Sequence, residues 1–497
     1  MSGHNLEAAY ASTEIAGYIQ DNQVQFLEST GSDGMWSLFA GSEGGSKWPL
    51  ADGVICAKNS KKDINFAFEF KRKNEGVHGI LTALGQSYAY LEKGYAASVM
   101  AIPESYSSHP CPGEHINRII EQTSPDIPIW IFTYGEPDMS ATRPFNGKIK
   151  CVRNKNLGTC IQSNGANGSA SNASRVTTLW AHFREGMSHP DALYKYCKSV
   201  KIITSAGENL DEYKIPEELK QAVKRINASA DVYQYLSNTS PNSISDKSWR
   251  KDWFSFYFWK DLMPLYHKDS SGKYIANTVP TKIKINQNDN QTLFSSRNDS
   301  IKNKLVEKLN EGKITEDKAW EEYAKKVRSD AHSYREVIDS GLYHIGFVDS
   351  DGKLTELGYK YVDACERAND AYSLLPMQIL KSAVLQNGQY AALLHYIFKL
   401  SEEEFDKDLY SFTKIKNNKK TFDSNEYRTW LMHNLNEKLH LVQTSSLRAG
   451  GTRKPLQSEI WMLKKLGLIR STTYRIGSGI CIDWPQVETS LQFFYNI

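Results

Sequence analysis

The run Ile64–Phe70 (INFAFEF), followed at once by Lys71, limits what this chain can fold into more than any other stretch. Alternation along a strand puts residues i and i+2 on one face, so Glu69 and Lys71 point together and Phe70 points into the core. The rest of the run reads as core, and burying charge there is costly unless it is paired or bound. A second apolar run, Gly53–Ala57, precedes it across the polar turn NSKKD, and the two read as a hairpin. Residues 76–93 carry apolar residues at helical spacing. Residues 97–102 read as a strand, 114–122 as a helix and 127–134 as a strand. Upstream, residues 5–28 read as one or two helices with Ser12 or Thr13 as a cap before Glu14, followed by a glycine-rich loop over 31–45. The order of elements describes an α/β domain ending near residue 155.

Beyond it the chain, 497 residues in all, changes character. A small-residue stretch over 163–174 (SNGANGSASNAS) reads as a linker. A mixed, aromatic-rich segment follows, densest at Trp249–Tyr266, and a polar stretch at 286–300 reads as a second linker. Residues 304–339 look helical. Two later segments share a format: 341–366 reads as a hairpin with a DSDGK turn and then a helix begun by Thr355, and 458–484 as a helix and then a hairpin. The second is how a winged-helix domain ends. The expected division is 1–155, 176–285, 300–370 and 371–497.

Composition narrows the class. The chain is 40% hydrophobic and 24% charged, and no apolar run approaches the ~18 residues of a membrane span. Seven scattered cysteines without a CxxC pair fit reduced thiols, and no charged-then-apolar leader opens the chain, so a cytoplasmic protein is expected.

The chemistry gathers around Asp52, Glu69 and Lys71, with Gln86 and Tyr90 on the following helix. A hairpin can bring Asp52 beside the strand-end pair. Two carboxylates with an ammonium make a hard-oxygen site suited to Mg²⁺, which takes few carboxylates and several waters. Such an ion polarises a phosphoryl oxygen and acidifies a bound water, and the lysine can hold that water or stabilise the phosphorane. The three letters ExK alone describe many solvated strand ends; the preceding Asp, the strand–strand–helix order and the Gln-x-x-x-Tyr spacing are what set this one apart. Other constellations carry less. His109, Cys111 and His115 lie in a proline-rich loop with no fourth ligand at zinc spacing. Ser271-Gly-Lys273 lacks the context of a phosphate-binding loop.

These residues resemble the PD-(D/E)xK nuclease superfamily, the fold of many restriction enzymes and RecB-type nucleases. Pro49-Leu-Ala-Asp52 looks like its first motif, Glu69-Phe-Lys71 its second, and Gln86-x-x-x-Tyr90 its helix motif, over about residues 5–135. Two residues separate Pro49 from Asp52, where the family has them adjacent. The resemblance implies a restriction-endonuclease-like mixed sheet flanked by helices. It implies Asp52, Glu69 and the Phe70 carbonyl as Mg²⁺ ligands, Lys71 as the catalytic lysine and Gln86 near the metal or phosphate. Members often add a glutamate from the first helix; Glu7, Glu14 and Glu28 all compete for that place.

The C-terminal part has a signal of its own. Residues 411–475 hold 13 Lys and Arg against four Asp and Glu, a net +9 in 65 residues, so the other 432 carry −6 of the total of +3. A basic loop with Arg448, Arg453 and Lys454 leads into a helix bearing Gln457 and Lys464, an arrangement suited to phosphate and base contacts. Joined, the halves read as a Mg²⁺-dependent endonuclease of double-stranded DNA with a C-terminal winged-helix reader, most like a type II restriction enzyme. That reading carries a homodimer at least on DNA, and a cognate DNA methyltransferase as functional companion. The rivals are a methylation-dependent restriction or repair nuclease and a non-catalytic winged-helix DNA-binding protein with a remnant nuclease fold. On the expected division, removal of everything after about residue 370 leaves a folded catalytic domain.

Overall fold

Alternation in the apolar strands decides the layering. In the computed structural model, β3 (Asp63–Phe70) and β5 (Ile129–Tyr134) are buried from both sides. Phe66, Trp130 and Phe132 point to one face and pack with Tyr18 and Phe26. Ala67, Ile129 and Ile131 point to the other. Helices α1 (His4–Asp21) and α2 (Gln23–Phe26) supply the first set of partners. Helices α3 (Gly76–Lys93) and α4 (Pro112–Thr123) supply the second through Ile80, Ala83, Ile116 and Ile120.

The structure describes residues 4–27, 35–42, 49–59, 63–106, 109–160, 179–183, 188–206, 215–237, 264–278, 282–286, 289–292, 297–349, 352–405, 413–416, 419–422, 424–441, 456–475 and 479–494. With β1 (Ser37–Gly41), β2 (Gly53–Lys58), β4 (Ala97–Pro103) and β6 (Ile149–Arg153), the sheet has six strands in the order β1-β2-β3-β4-β5-β6. The β1-β2-β3 meander is antiparallel, β3, β4 and β5 run parallel, and β6 returns antiparallel. Parallel neighbours need a crossover, and α3 and α4 provide the two. The result is a mixed α/β sheet with helices on both faces.

Several local expectations change. Ser12 and Thr13 do not cap a helix: they lie inside α1, where their hydroxyls are buried and donate to the carbonyls of Ala9 and Tyr10 at 2.9 and 2.8 Å. Part of the glycine-rich loop forms β1, whose Leu38, Phe39 and Ala40 are core. Over 286–300 the chain is not a plain linker, since Asp289–Thr292 pairs with Lys282–Asn286 and a helix starts at Arg297. In 341–366 the helix Glu316–His344 takes the place of the first hairpin arm. Only Val348 and Leu354 bridge across the DSDGK turn, and Thr355 caps the next helix by accepting from the Gly358 amide. The aromatic residues 249–263 and the loop 442–455, with Arg448, Arg453 and Lys454, lie outside the described residues.

The chain divides into two compact units, 1–181 with 382–497, and 182–381. The segments expected at 1–155 and 371–497 thus fall largely in one unit. Within it Tyr10 stacks edge-on against Tyr396 at 5.1 Å, and Thr13 Oγ1 lies 3.4 Å from Tyr396 Oη. The Ala40 amide of β1 donates to the His440 carbonyl at 2.8 Å. Cutting after residue 370 would strip these contacts from α1 and β1, so the expectation of a separable N-terminal domain does not hold. The second unit is mainly helical, built on Pro190–Ala206, Glu217–Ile226, Arg297–Asn310, Glu316–His344 and Glu356–Ala368. In the first, the helix Gln457–Lys465 is followed by the antiparallel strands Ile469–Arg475 and Gly479–Ile482. No described helix is long and apolar enough to cross a membrane.

Candidate active site at the end of β3

The site arises where β2 gives out before β3 does. Gly53 pairs with Phe68, and one residue earlier the Asp52 carboxylate takes over the ladder, accepting the Phe70 amide through Oδ2 at 2.8 Å. Glu69 follows Ala67 in parity and therefore faces α3. There Tyr90 meets it, with the two oxygens 2.5 Å apart, and Lys71 Nζ lies 2.5 Å from Glu69 Oε1. Past the strand the backbone stays fixed: the Lys71 amide donates to Ala101 at 3.0 Å and its carbonyl accepts from Tyr134 at 2.6 Å. Tyr106 donates to the Arg72 carbonyl at 2.8 Å.

Burial makes these charges unusual. Glu69 is 1% exposed and Lys71 8%. Desolvation, reinforced by the nearby Asp52, pushes the Glu69 carboxyl up to about 7 despite its lysine and tyrosine partners. Desolvation raises Asp52 too, against the pull of His4 and the Phe70 amide. Burial acts to lower Lys71, but Glu69 outweighs it and holds the ammonium charged. The Tyr90 hydroxyl also reaches the Leu50 carbonyl at 2.8 Å. One phenol proton cannot serve two acceptors fully. A protonated Glu69 that donates to Tyr90 Oη, while the phenol donates to Leu50, satisfies both oxygens.

Asp52, Glu69, Phe70 and Lys71 are therefore gathered as expected. Gln86 shares a helical face with Gly79, Ala83 and Tyr90, and its Oε1 is buried without a hydrogen-bond partner. Gly79 lets that face come close: a Cβ there would sit 2.9 Å from Glu75 Cβ and 3.6 Å from Lys71 Cδ. The first-helix question has a different answer from the three glutamates considered. Glu7 is held by both arms of Arg72 at 2.7 Å, Glu14 by Arg143, and Glu28 lies outside the described residues. The group that α1 does bring is His4. Its Nε2 lies 2.9 Å from the Phe70 carbonyl, 3.8 Å from Asp52 Oδ2 and 3.5 Å from Glu75 Oε1. His4 and Glu75 carried no motif, and only the placement of α1 over the sheet reveals the first of them.

The donor set suits one magnesium ion. The Phe70 carbonyl and the Asp52 carboxylate converge on a single point, where His4 Nε2 now stands, and Glu69 is the next carboxylate along. Both carboxyls are raised because too little positive charge reaches them, a deficit that a cation would relieve. Among the described residues no group of three or more His, Cys, Asp and Glu side chains is placed to hold a metal. Mg²⁺ does not require one, since it uses one or two carboxylates and keeps waters.

Of the residues expected to touch DNA, Lys464 is exposed on the helix Gln457–Lys465. Gln457 begins that helix, its side chain outside the described set. No protein-family model matches this chain, and no curated protein matches it.

Proposed function

We propose that the chain is a Mg²⁺-dependent endonuclease that hydrolyses phosphodiester bonds of double-stranded DNA, in the manner of a type II restriction enzyme. The observation that supports it most is the convergence of Asp52, Glu69, the Phe70 carbonyl and Lys71 at the end of one buried strand. Asp52, Glu69 and the Phe70 carbonyl would hold the ion. When bound, it supplies charge to the phosphoryl oxygens and acidity to a water.

The remaining work falls to the chain's own groups. Lys71 holds a proton-rich ammonium where negative charge develops, and its backbone is pinned at both N–H and C=O, so the group is positioned in advance. Tyr90 keeps Glu69 turned inward. Gln86, its oxygen unspent, is free to orient the attacking water or the phosphate. The pair Glu7–Arg72 locks the start of α1 to the strand end, which keeps His4 beside the ligands. In this reading the basic C-terminal segment binds and reads the duplex, two protomers cut its two strands, and a methyltransferase protects the host's own sites.

The test is direct. Purified protein is incubated with methylated and with unmethylated plasmid in Mg²⁺ and in EDTA. Discrete linear fragments in Mg²⁺ alone are expected. A folded protein that leaves both plasmids intact in Mg²⁺ and in Mn²⁺ overturns the proposal.

A further inference from the structure

The helix Gln457–Lys465 is strictly two-sided. Glu459, Ile460, Met462 and Leu463 are buried, and Trp180 Nε1 lies 3.4 Å from Glu459 Oε1 on the inner side. The outer side carries Trp461, 42% exposed, with Lys464 and Lys465 three and four residues on. That spacing sets the three side by side on the helix surface. Lys464 Nζ stands 5.5 Å from the centre of the Trp461 ring, within cation–π range. Gly467, at φ 68°, then turns the chain into the hairpin of Ile469–Arg475 and Gly479–Ile482.

A tryptophan left in water by a helix that buries every other large apolar residue it has needs a partner. Charge decides which kind. The stripe lies inside the 65 residues that carry +9 in a chain of +3, and lysine is depleted from the centres of protein–protein interfaces. A polyanion with apolar surface between its charges fits both features. We propose that Trp461, Lys464 and Lys465 form the contact surface for double-stranded DNA, with the indole against a deoxyribose or thymine methyl and the two ammoniums on flanking phosphates. The choice of DNA as occupant rests on the nuclease reading; the surface itself rests on exposure, spacing and charge.

The experiment is a titration of a fluorescent duplex with the full-length protein in EDTA, where no cleavage occurs, at several salt concentrations. W461A should weaken binding by about tenfold without altering the salt slope, and W461F should retain most of the affinity. The double variant K464A/K465A should flatten the log–log salt slope by about 1.8, roughly 0.9 per phosphate lost. Duplex added to wild type should quench tryptophan emission that W461F no longer shows. W461A binding as tightly as wild type overturns the proposal, as does a wild-type protein that binds no duplex. Because the assay reads binding alone, plasmid left uncut by a protein whose W461A variant loses DNA affinity would sink the nuclease reading and leave this surface standing.

Discussion

Two carboxylates in this molecule have nearly the same partners and opposite acidities. Glu69 has a lysine at 2.5 Å and a tyrosine hydroxyl; Glu316 has Lys268 at 2.8 Å and the hydroxyls of Tyr266 and Tyr274 at 2.6 Å. Burial and Asp52 push Glu69 up to about 7, whereas hydrogen bonds from Lys268 and the two tyrosines bring Glu316 down to about 2. Exposure separates them: 1% for the first side chain against 46% for the second. Water solvates Glu316, so every donor adds to an already stable anion. Glu69 has lost that water, and its donors only offset part of the loss. A lysine–glutamate–tyrosine group is thus a brace in one setting and a reactive centre in the other.

The largest effect should come from removing the ammoniums. Lys71→Ala is expected to lower the cleavage rate by about 10²–10³-fold, the usual cost of losing one aligned charge-stabilising donor, with duplex binding in EDTA unchanged. Lys268→Ala should leave the rate untouched. Single-turnover cleavage of the two variants side by side makes the comparison, and equal rates would erase the distinction between them.

A second contrast lies in pH. The folded pKa of Glu69 is above its ordinary value of 4.5, so the stability it contributes is complete below about pH 4.5 and is lost as pH rises through about 7. Glu69→Gln cannot ionise and should lack that decline. Relative to the variant, wild type should lose up to about 3 kcal/mol between about pH 4.5 and 8, since each pH unit between the ordinary and the folded pKa is worth roughly 1.4 kcal/mol. Urea midpoints at the two pH values read it directly. Parallel pH profiles would mean that Glu69 stays ionised throughout.

How much of this was legible beforehand follows from sequence distance. The strand pair, α3 and the placing of Asp52, Glu69 and Lys71 could be read because a hairpin and one helix span only residues 52–93. His4 could not: it reaches the Phe70 carbonyl across 66 residues, and Tyr134 reaches Lys71 across 63. Such contacts depend on which face of the sheet α1 covers, and the alternation of Phe66, Trp130 and Phe132 fixes that only once the strand order is known. Strand β6 was missed because its Ile149–Arg153 is a half-exposed edge with a weak apolar pattern. Helix Tyr390–Phe405 reads as an ordinary amphipathic element; nothing local says that its Tyr396 meets Tyr10 and Thr13.

The smallest effect sharpens the comparison from the other side. Glu316 opens the helix Glu316–His344, just after the Thr315 cap, where a negative charge also meets the positive end of the helix. Its folded pKa lies below the ordinary 4.5, so its stabilising contribution is present above about pH 4.5 and is lost as pH falls through about 2. Because the side chain is nearly half exposed, solvent screens the pair, and Glu316→Gln should cost only about 0.5–1 kcal/mol at pH 7. At pH 2 wild type and variant should unfold at the same urea concentration, and at pH 7 their cleavage rates should agree. A loss of several kcal/mol would mean that this group, like Glu69, is a desolvated charge whose partners cannot be spared. A loss of cleavage without a loss of stability would move Glu316 from brace to reactive centre.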